Sequence, residues 1–200
     1  MLDSKYQRFY DEIVKKIKKE KIFTDKLHTL AYGTDASFYR LIPKIVIKTD
    51  NAKEVQDIIE LSNSLNLSIT FRAGGTSLSG QAISDSILVI TSRNFSNFKI
   101  APDASYISLQ PALTGAQVNG LLARYSKKIG PDPASINAAM IGGIAANNAS
   151  GMCCGISQNS YKTLKSMKLI FADGAKLDTG CSESKDAFRK SHGDFLNDLK

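Results

Sequence analysis

The stretch "KIVIKTDNAKEVQDIIELSNSLNLSITFRAGGTSLSGQAISDSILVIT", Lys44 to Thr91, decides the fold. Its first five residues form a short β-branched strand. Asn51 to Asn66 is a helix, with Asp50 or Asn51 as its cap and Val55, Ile58, Ile59 and Leu65 on one face. A second strand runs from Leu67 to Arg72, so the unit is βαβ and its two strands are expected to be parallel with a right-handed crossover. A third strand follows at Ile87 to Thr91. Only "AGGTSLSGQAISDS" separates it from the second, too little for a full packed crossover helix.

Working outward, Tyr6, Phe9, Tyr10, Ile13, Val14 and Ile17 recur at helical spacing behind a cap at Asp3 or Ser4. This predicts an amphipathic helix docked on the body. A membrane-surface helix is the weaker reading, because Glu12 and Glu20 dilute the basic face around "KKIKKEK", Lys15 to Lys21. Asp25 to Pro43 has no clear period and reads as irregular structure with one helical turn. Downstream, Tyr106 to Pro111 is a strand. A helix capped by Thr114 carries Val118, Leu121, Leu122 and Tyr125. "SMKLIFADGAKLDTG", Ser166 to Gly180, is a hairpin turning at Asp173-Gly174. The class is therefore α+β, with two lobes. A small parallel βαβ lobe is followed by a lobe of mainly antiparallel sheet and helices. The boundaries expected are 1–24 for the terminal helix, 25–95 for the first lobe and 96–200 for the second.

The bulk properties narrow the function. A chain of 200 residues suits one large domain or two small lobes. The net charge of +7 is spread along the chain without interleaved aromatics, which argues against a nucleic-acid partner. Three cysteines, Cys153, Cys154 and Cys181, have no metal-ligand spacing and fit a reducing compartment. No apolar run is of spanning length, so a cytoplasmic protein is expected, with peripheral attachment at the inner face of a membrane as a variant. With only two histidines, His28 and His192, a histidine-centred metal site or catalytic triad is not expected.

Two glycine-rich stretches carry the chemistry. In "FRAGGTSLSG", Phe71 to Gly80, glycines free the backbone N–H groups to face a ligand. Ser and Thr hydroxyls and the Arg72 fork add donors suited to phosphate or pyrophosphate. It is neither a P-loop, since Gln81-Ala82 follows Gly80, nor a dinucleotide fingerprint, since a strand follows instead of a helix. For this loop alone, a ligand-free turn fits as well as a cradle. The second stretch, Gly130 to Tyr161, has no charged residue between Asp132 and Lys162 and is mostly Gly, Ala, Ser and Asn. Close helix packing would explain its small residues. The amides of Asn147 and Asn148 and the serines favour a polar ligand. Two such stretches suggest one elongated ligand held at two points, a shape that a dinucleotide has.

"RAGGTSLSGQ", then "GPDPAS…MIGGIAANNASG", then "LIFADGAKLDTG" resemble the FAD-binding domain of the vanillyl-alcohol oxidase and p-cresol methylhydroxylase superfamily. The similarity is greatest to its FAD-linked 2-hydroxyacid dehydrogenases, including D-lactate dehydrogenases and the glycolate oxidase flavin subunit, and runs from about Ile42 to Gly180. The resemblance implies that Arg72, Ala73, Gly74, Gly75, Thr76 and Ser77 wrap the FAD pyrophosphate, with Gly80 and Gln81 nearby. Pro131, Asp132 and Ser135 would border the flavin. Ile141, Gly142, Gly143, Ala146, Asn147, Asn148, Ser150 and Gly151 would follow the ribityl and diphosphate region. No histidine occurs in either loop, so FAD is expected to be non-covalent. The resemblance also implies that the chain is the amino-terminal part of a larger enzyme. A substrate-binding domain or carboxyl-terminal partner would complete it, and a quinone, cytochrome or iron–sulfur centre would accept electrons. No catalytic or metal residue is expected within the chain. Two other readings stand beside this one: a non-catalytic nucleotide or phosphate-binding module, and an inert truncated gene product.

Overall fold

A computed structural model of the chain describes residues 2–199, in two compact units that divide between Thr163 and Leu164. The first unit opens with helix α1 (Ser4–Ile13), whose N-cap is Asp3; its carboxylate accepts from the amides of Lys5 and Tyr6. Strand β1 (Ile22–Phe23) and helix α2 (Lys26–Ala31) follow. Then come strand β2 (Ile45–Thr49), helix α3 (Ala52–Leu65), strand β3 (Ile69–Arg72) and strand β4 (Ile87–Thr91). Of the two caps considered for α3, Asn51 is the one used, accepting from the Glu54 amide.

These strands form one sheet in the order β1-β2-β4-β3. β2 and β3 are both parallel to β4, which lies between them with Ile45 and Ile69 both in register with Ile87. The expected parallel relation therefore holds, but through an inserted third strand. β1 adds an antiparallel edge that the sequence pattern did not reveal.

Alternation along the strands sorts the core onto two faces. Ile45, Ile47, Ile87 and Val89 pack with Phe9 and Ile13 of α1, with Ile17 in the segment after α1 and with Ile58 of α3, and all are buried. α1 is thus docked on the sheet, as its apolar stripe predicts. Val46, Leu88 and Ile90 take the other face with Phe23 and Tyr32. Lys21 ties the chain before β1 to the β2–α3 turn by reaching both Asp50 and Glu54.

The first unit continues with an antiparallel pair, β5 (Phe98–Ile100) and β6 (Ile107–Leu109). Helix α4 (Gly115–Leu122) begins at Thr114 in a capping box with Gln117. Helices α5 (Ile141–Ala146) and α6 (Ser160–Thr163) are short. Leu113, Val118 and Leu122 make a second core with Ile100, Ile107, Leu109, Ile129 and Ile141.

The second unit holds the hairpin β7 (Lys168–Ile170) and β8 (Lys176–Asp178), then α7 (Ser182–Ser191) and α8 (Gly193–Asp198). The hairpin turn differs in detail from the sequence reading. Gly174 N–H closes a turn on the Phe171 carbonyl, and Gly174 then takes φ +87°. Ala172-Asp173 are therefore the central pair and Gly174 the left-handed residue after them. Phe188 stacks between Phe171 and His192.

No helix of the described residues is long and apolar enough to cross a membrane.

Candidate functional site: a paired-loop cradle

Parallel strands β3 and β4 are adjacent, so the chain must travel back along the sheet between them. Residues 73–86 do so without any helix. The glycine-rich loop is this crossover, and it starts at the carboxyl end of β3, where ligands sit in open sheets with parallel strands.

Its donors are arranged for an anion. Among the described residues, the backbone N–H groups of Gly74, Gly75, Thr76 and Ser77 donate to no protein atom. Gly75 has φ +66°, a left-handed conformation of the kind that anion-binding nests use. Four consecutive backbone donors are thus left available to an acceptor from outside the protein.

Several predicted residues are committed elsewhere. Arg72 is half-buried, and its Nη1 donates to the carbonyls of Tyr32 (3.3 Å) and Thr34 (2.7 Å). Burial lowers its pKa against the opposing charge of Asp35, but an arginine stays charged at any working pH. Its guanidinium also lies beneath Gly75, where a side-chain β-carbon would come within 2.5 Å of it. Glycine at 75 is thus favoured by its left-handed φ, and any side chain there would also displace the Arg72 guanidinium, before any ligand is considered. The Ser77 hydroxyl bonds Gln81 Oε1 and accepts from the amides of Ser79 and Gln81. Gly80 has φ +74° and packs on the Tyr39 ring.

The second small-residue stretch meets the first directly. A β-carbon on Gly74 would collide with the Ala138 carbonyl oxygen, and one on Gly143 would touch Ala73 Cβ at 3.4 Å. Thr91, at the end of β4, points its hydroxyl at the Met140 sulfur at 3.7 Å. The two stretches, about sixty residues apart in sequence, therefore form one seam.

Close packing and exposed polar groups both occur here. Gly142 donates to the Pro111 carbonyl and abuts its ring, so its N–H is spent. Ile144 and Pro131 are buried, and Ile141 leans on the α4 core. Asp132 is turned inward, accepting from the amides of Cys153 (3.2 Å) and Cys154 (3.1 Å), and Gly151 is small because Asp132 fills the space beside it. Asn148, at φ +45°, accepts from the Tyr161 amide (3.0 Å). The side chains of Thr76, Ser135, Asn147 and Ser150 make no hydrogen bond within the described residues, and Ala146 is exposed beside Asn147.

The irregular segment before β2 contributes what the sequence reading missed. Ala36 N–H donates to the Gly75 carbonyl (3.1 Å), and Asp35 accepts from the amides of Ser37 (2.8 Å) and Ala82 (3.4 Å). Burial alone would raise the Asp35 carboxyl. The Ser37 hydroxyl and amide, the Ala82 amide and the Arg72 charge outweigh it and hold it below the usual range. No set of three or more metal-binding side chains gathers among the described residues.

Comparison with known proteins gives a consistent setting for this cradle. The model of a family described as FAD binding domain matches residues 43–180. D-2-hydroxyglutarate dehydrogenase of Haemophilus influenzae is 26% identical over 172 residues, which are 82% of this chain and 16% of that protein. Glycolate oxidase subunit GlcD of Escherichia coli is 28% identical over 161 residues, 77% of this chain and 32% of that one. The chain thus spans 16% and 32% of the length of these relatives. The solved structure of p-cresol methylhydroxylase with substrate bound superposes with a TM-score of 0.73 at 13% identity, covering 92% of this chain and 38% of that one.

Proposed function

Because the chain belongs to the FAD binding domain family, we propose that it is the cofactor-holding part of a flavin-dependent oxidoreductase that converts a 2-hydroxyacid, such as D-lactate, to the 2-oxoacid. The relatives' names support the substrate class: hydroxyglutarate and glycolate are both 2-hydroxyacids. The observation that carries the reading is the run of unspent N–H groups from Gly74 to Ser77 in a loop that packs against Ala138–Gly143.

In this reading the FAD diphosphate lies on the amides of Gly74 to Ser77, with the Thr76 hydroxyl as a further donor. Arg72 acts from below as a fixed positive charge rather than as a direct fork. Gly80 and Gln81 close the loop. Asn147 and Ser150 offer the free polar groups of the second stretch, while Pro131, Asp132, Gly142, Asn148 and Gly151 shape its wall. Ser135, Ile141, Gly143 and Ala146 line the approach. The cofactor is held without a covalent link. FAD, when bound, would supply the hydride-accepting redox chemistry. This chain's residues bind and orient it. The groups that deprotonate the hydroxyacid, and the electron acceptor, belong to a substrate domain or partner.

The test is an absorbance scan of the purified chain before and after incubation with FAD and desalting. Retained flavin bands are expected. A chain that stays colourless after loading counts against the reading, and one that oxidises a 2-hydroxyacid unaided shows that the proposed division of labour is wrong.

A further inference from the structure

Residues 32–37 precede the family match at 43–180 and contain none of the glycine motifs, yet they grip the phosphate loop along its length. At the loop's entrance, Arg72 Nη1 donates to the Tyr32 and Thr34 carbonyls. At its bend, Ala36 N–H donates to the Gly75 carbonyl at 3.1 Å. At its exit, Asp35 Oδ2 accepts from the Ala82 amide at 3.4 Å, while Oδ1 accepts from the Ser37 amide at 2.8 Å.

The middle contact has a direct geometric effect. In a trans peptide the C=O and the following N–H point in opposite directions. Holding the Gly75 carbonyl toward Ala36 therefore turns the Thr76 N–H to the opposite side, out of the segment's reach. Asp35 also places a negative charge near the half-buried Arg72, a cation that burial alone disfavours.

We propose that Asp35 is a positioning residue of the FAD cradle: its carboxylate ties segment 32–37 to the exit of loop 72–82 at Ala82 and faces the Arg72 charge at its entrance, and so supports the peptide planes that present N–H groups to the diphosphate. This rests on reading the loop as the pyrophosphate site. Asp35 itself touches no cofactor.

The experiment has two readouts on the same proteins: the parent chain, Asp35→Ala, Asp35→Asn, and Asp103→Ala as a control, because Asp103 bonds only within its own 103–105 turn. Amide hydrogen exchange at Ala36 and across residues 73–82 is measured without flavin, and FAD is then titrated by quenching of its fluorescence. Asp35→Ala is expected to exchange about tenfold faster at Ala36 and Ala82 and to bind FAD about tenfold more weakly. Asp35→Asn, which keeps the shape and an acceptor but loses the charge, should fall between. It keeps the test decisive if the alanine variant fails to fold. Asp103→Ala should match the parent. Unchanged exchange in both Asp35 variants overturns the clamp, even if FAD binding weakens. Faster exchange with unchanged FAD binding overturns the cofactor role. A parent that takes up no FAD defeats the pyrophosphate reading itself, and the exchange data then still decide the clamp.

Discussion

At Gly75 the backbone turns at φ +66°, and the first carbon of any side chain would come within 2.5 Å of the Arg72 guanidinium. Valine there is both strained and displaced, so it must push Arg72 off the Tyr32 and Thr34 carbonyls or reshape the loop. Gly75→Val is expected to abolish FAD retention after desalting, whereas Gly143→Ala, whose neighbour Ala73 stands at 3.4 Å, should keep it. Equal flavin retention by Gly75→Val and the parent would show that the diphosphate lies elsewhere. Ser62 makes the opposite kind of case. It is buried at 1% exposure within α3, and its hydroxyl has no partner among the described residues. Removing a stranded polar atom recovers its desolvation cost. Ser62→Ala should therefore raise unfolding stability by about 1 kcal/mol in urea titrations; a loss of stability would mean that the hydroxyl is bonded in solution.

Helix α1 shows how an element can be fixed by its stripe. Phe9 and Ile13 are fully buried against Ile45, Ile47, Ile87 and Val89, while Lys5 and Arg8 are exposed. Phe9→Ala should cost about 3–5 kcal/mol of unfolding free energy, as large-to-small changes in packed cores do. A cost below about 1 kcal/mol would mean that the helix is only loosely docked. Elements of this kind were legible in the sequence. The stripes of α1, α3 and α4 and the apolar runs of β2 and β4 span enough residues to be read, and the three-residue strands β7 and β8 were found through the Asp173-Gly174 turn signal between them. β1 and β5, at two and three residues, are too short to display a period. α5 is built from Gly and Ala around Ile144, which leaves no stripe to read. The cradle was half legible for a related reason. Glycine spacing announced both loops, but whether a polar group faces a ligand or its own protein depends on contacts distant in sequence. Asp132 and Asn148 turned inward to the amides of Cys153, Cys154 and Tyr161. Asp35 sat in a stretch with no period at all.

Across the first unit, three carboxylates tie separate segments together: Asp35 to the glycine-rich crossover at Ala82, Asp50 to Lys21 and Asp57 to Lys16 and Lys53. In each, burial would raise the pKa, but hydrogen bonds and nearby positive charge outweigh it and the net shift is downward. A carboxylate whose folded pKa lies below its unfolded value of about 3.9 contributes stability that is complete above that pH and disappears as the pH falls through the folded values. The urea midpoint is therefore expected to be flat from neutral pH to about pH 5 and to drop below about pH 4. A midpoint that holds steady down to pH 2 would show that these ties contribute nothing. The strand order has a consequence of another kind. β4 is the central strand between β2 and β3, yet it is the last of the three to be synthesised. On the ribosome, β2 and β3 must wait with open edges until Ile87–Thr91 emerges, and only then can the loop that precedes it be pulled taut. The first wall of the proposed cradle is thus shaped in the same act that closes the sheet, and the second wall, at Ala138–Gly143, follows it. A nascent chain stalled before Thr91 would offer unpaired strands to chaperones, and none of the flavin's grip to FAD.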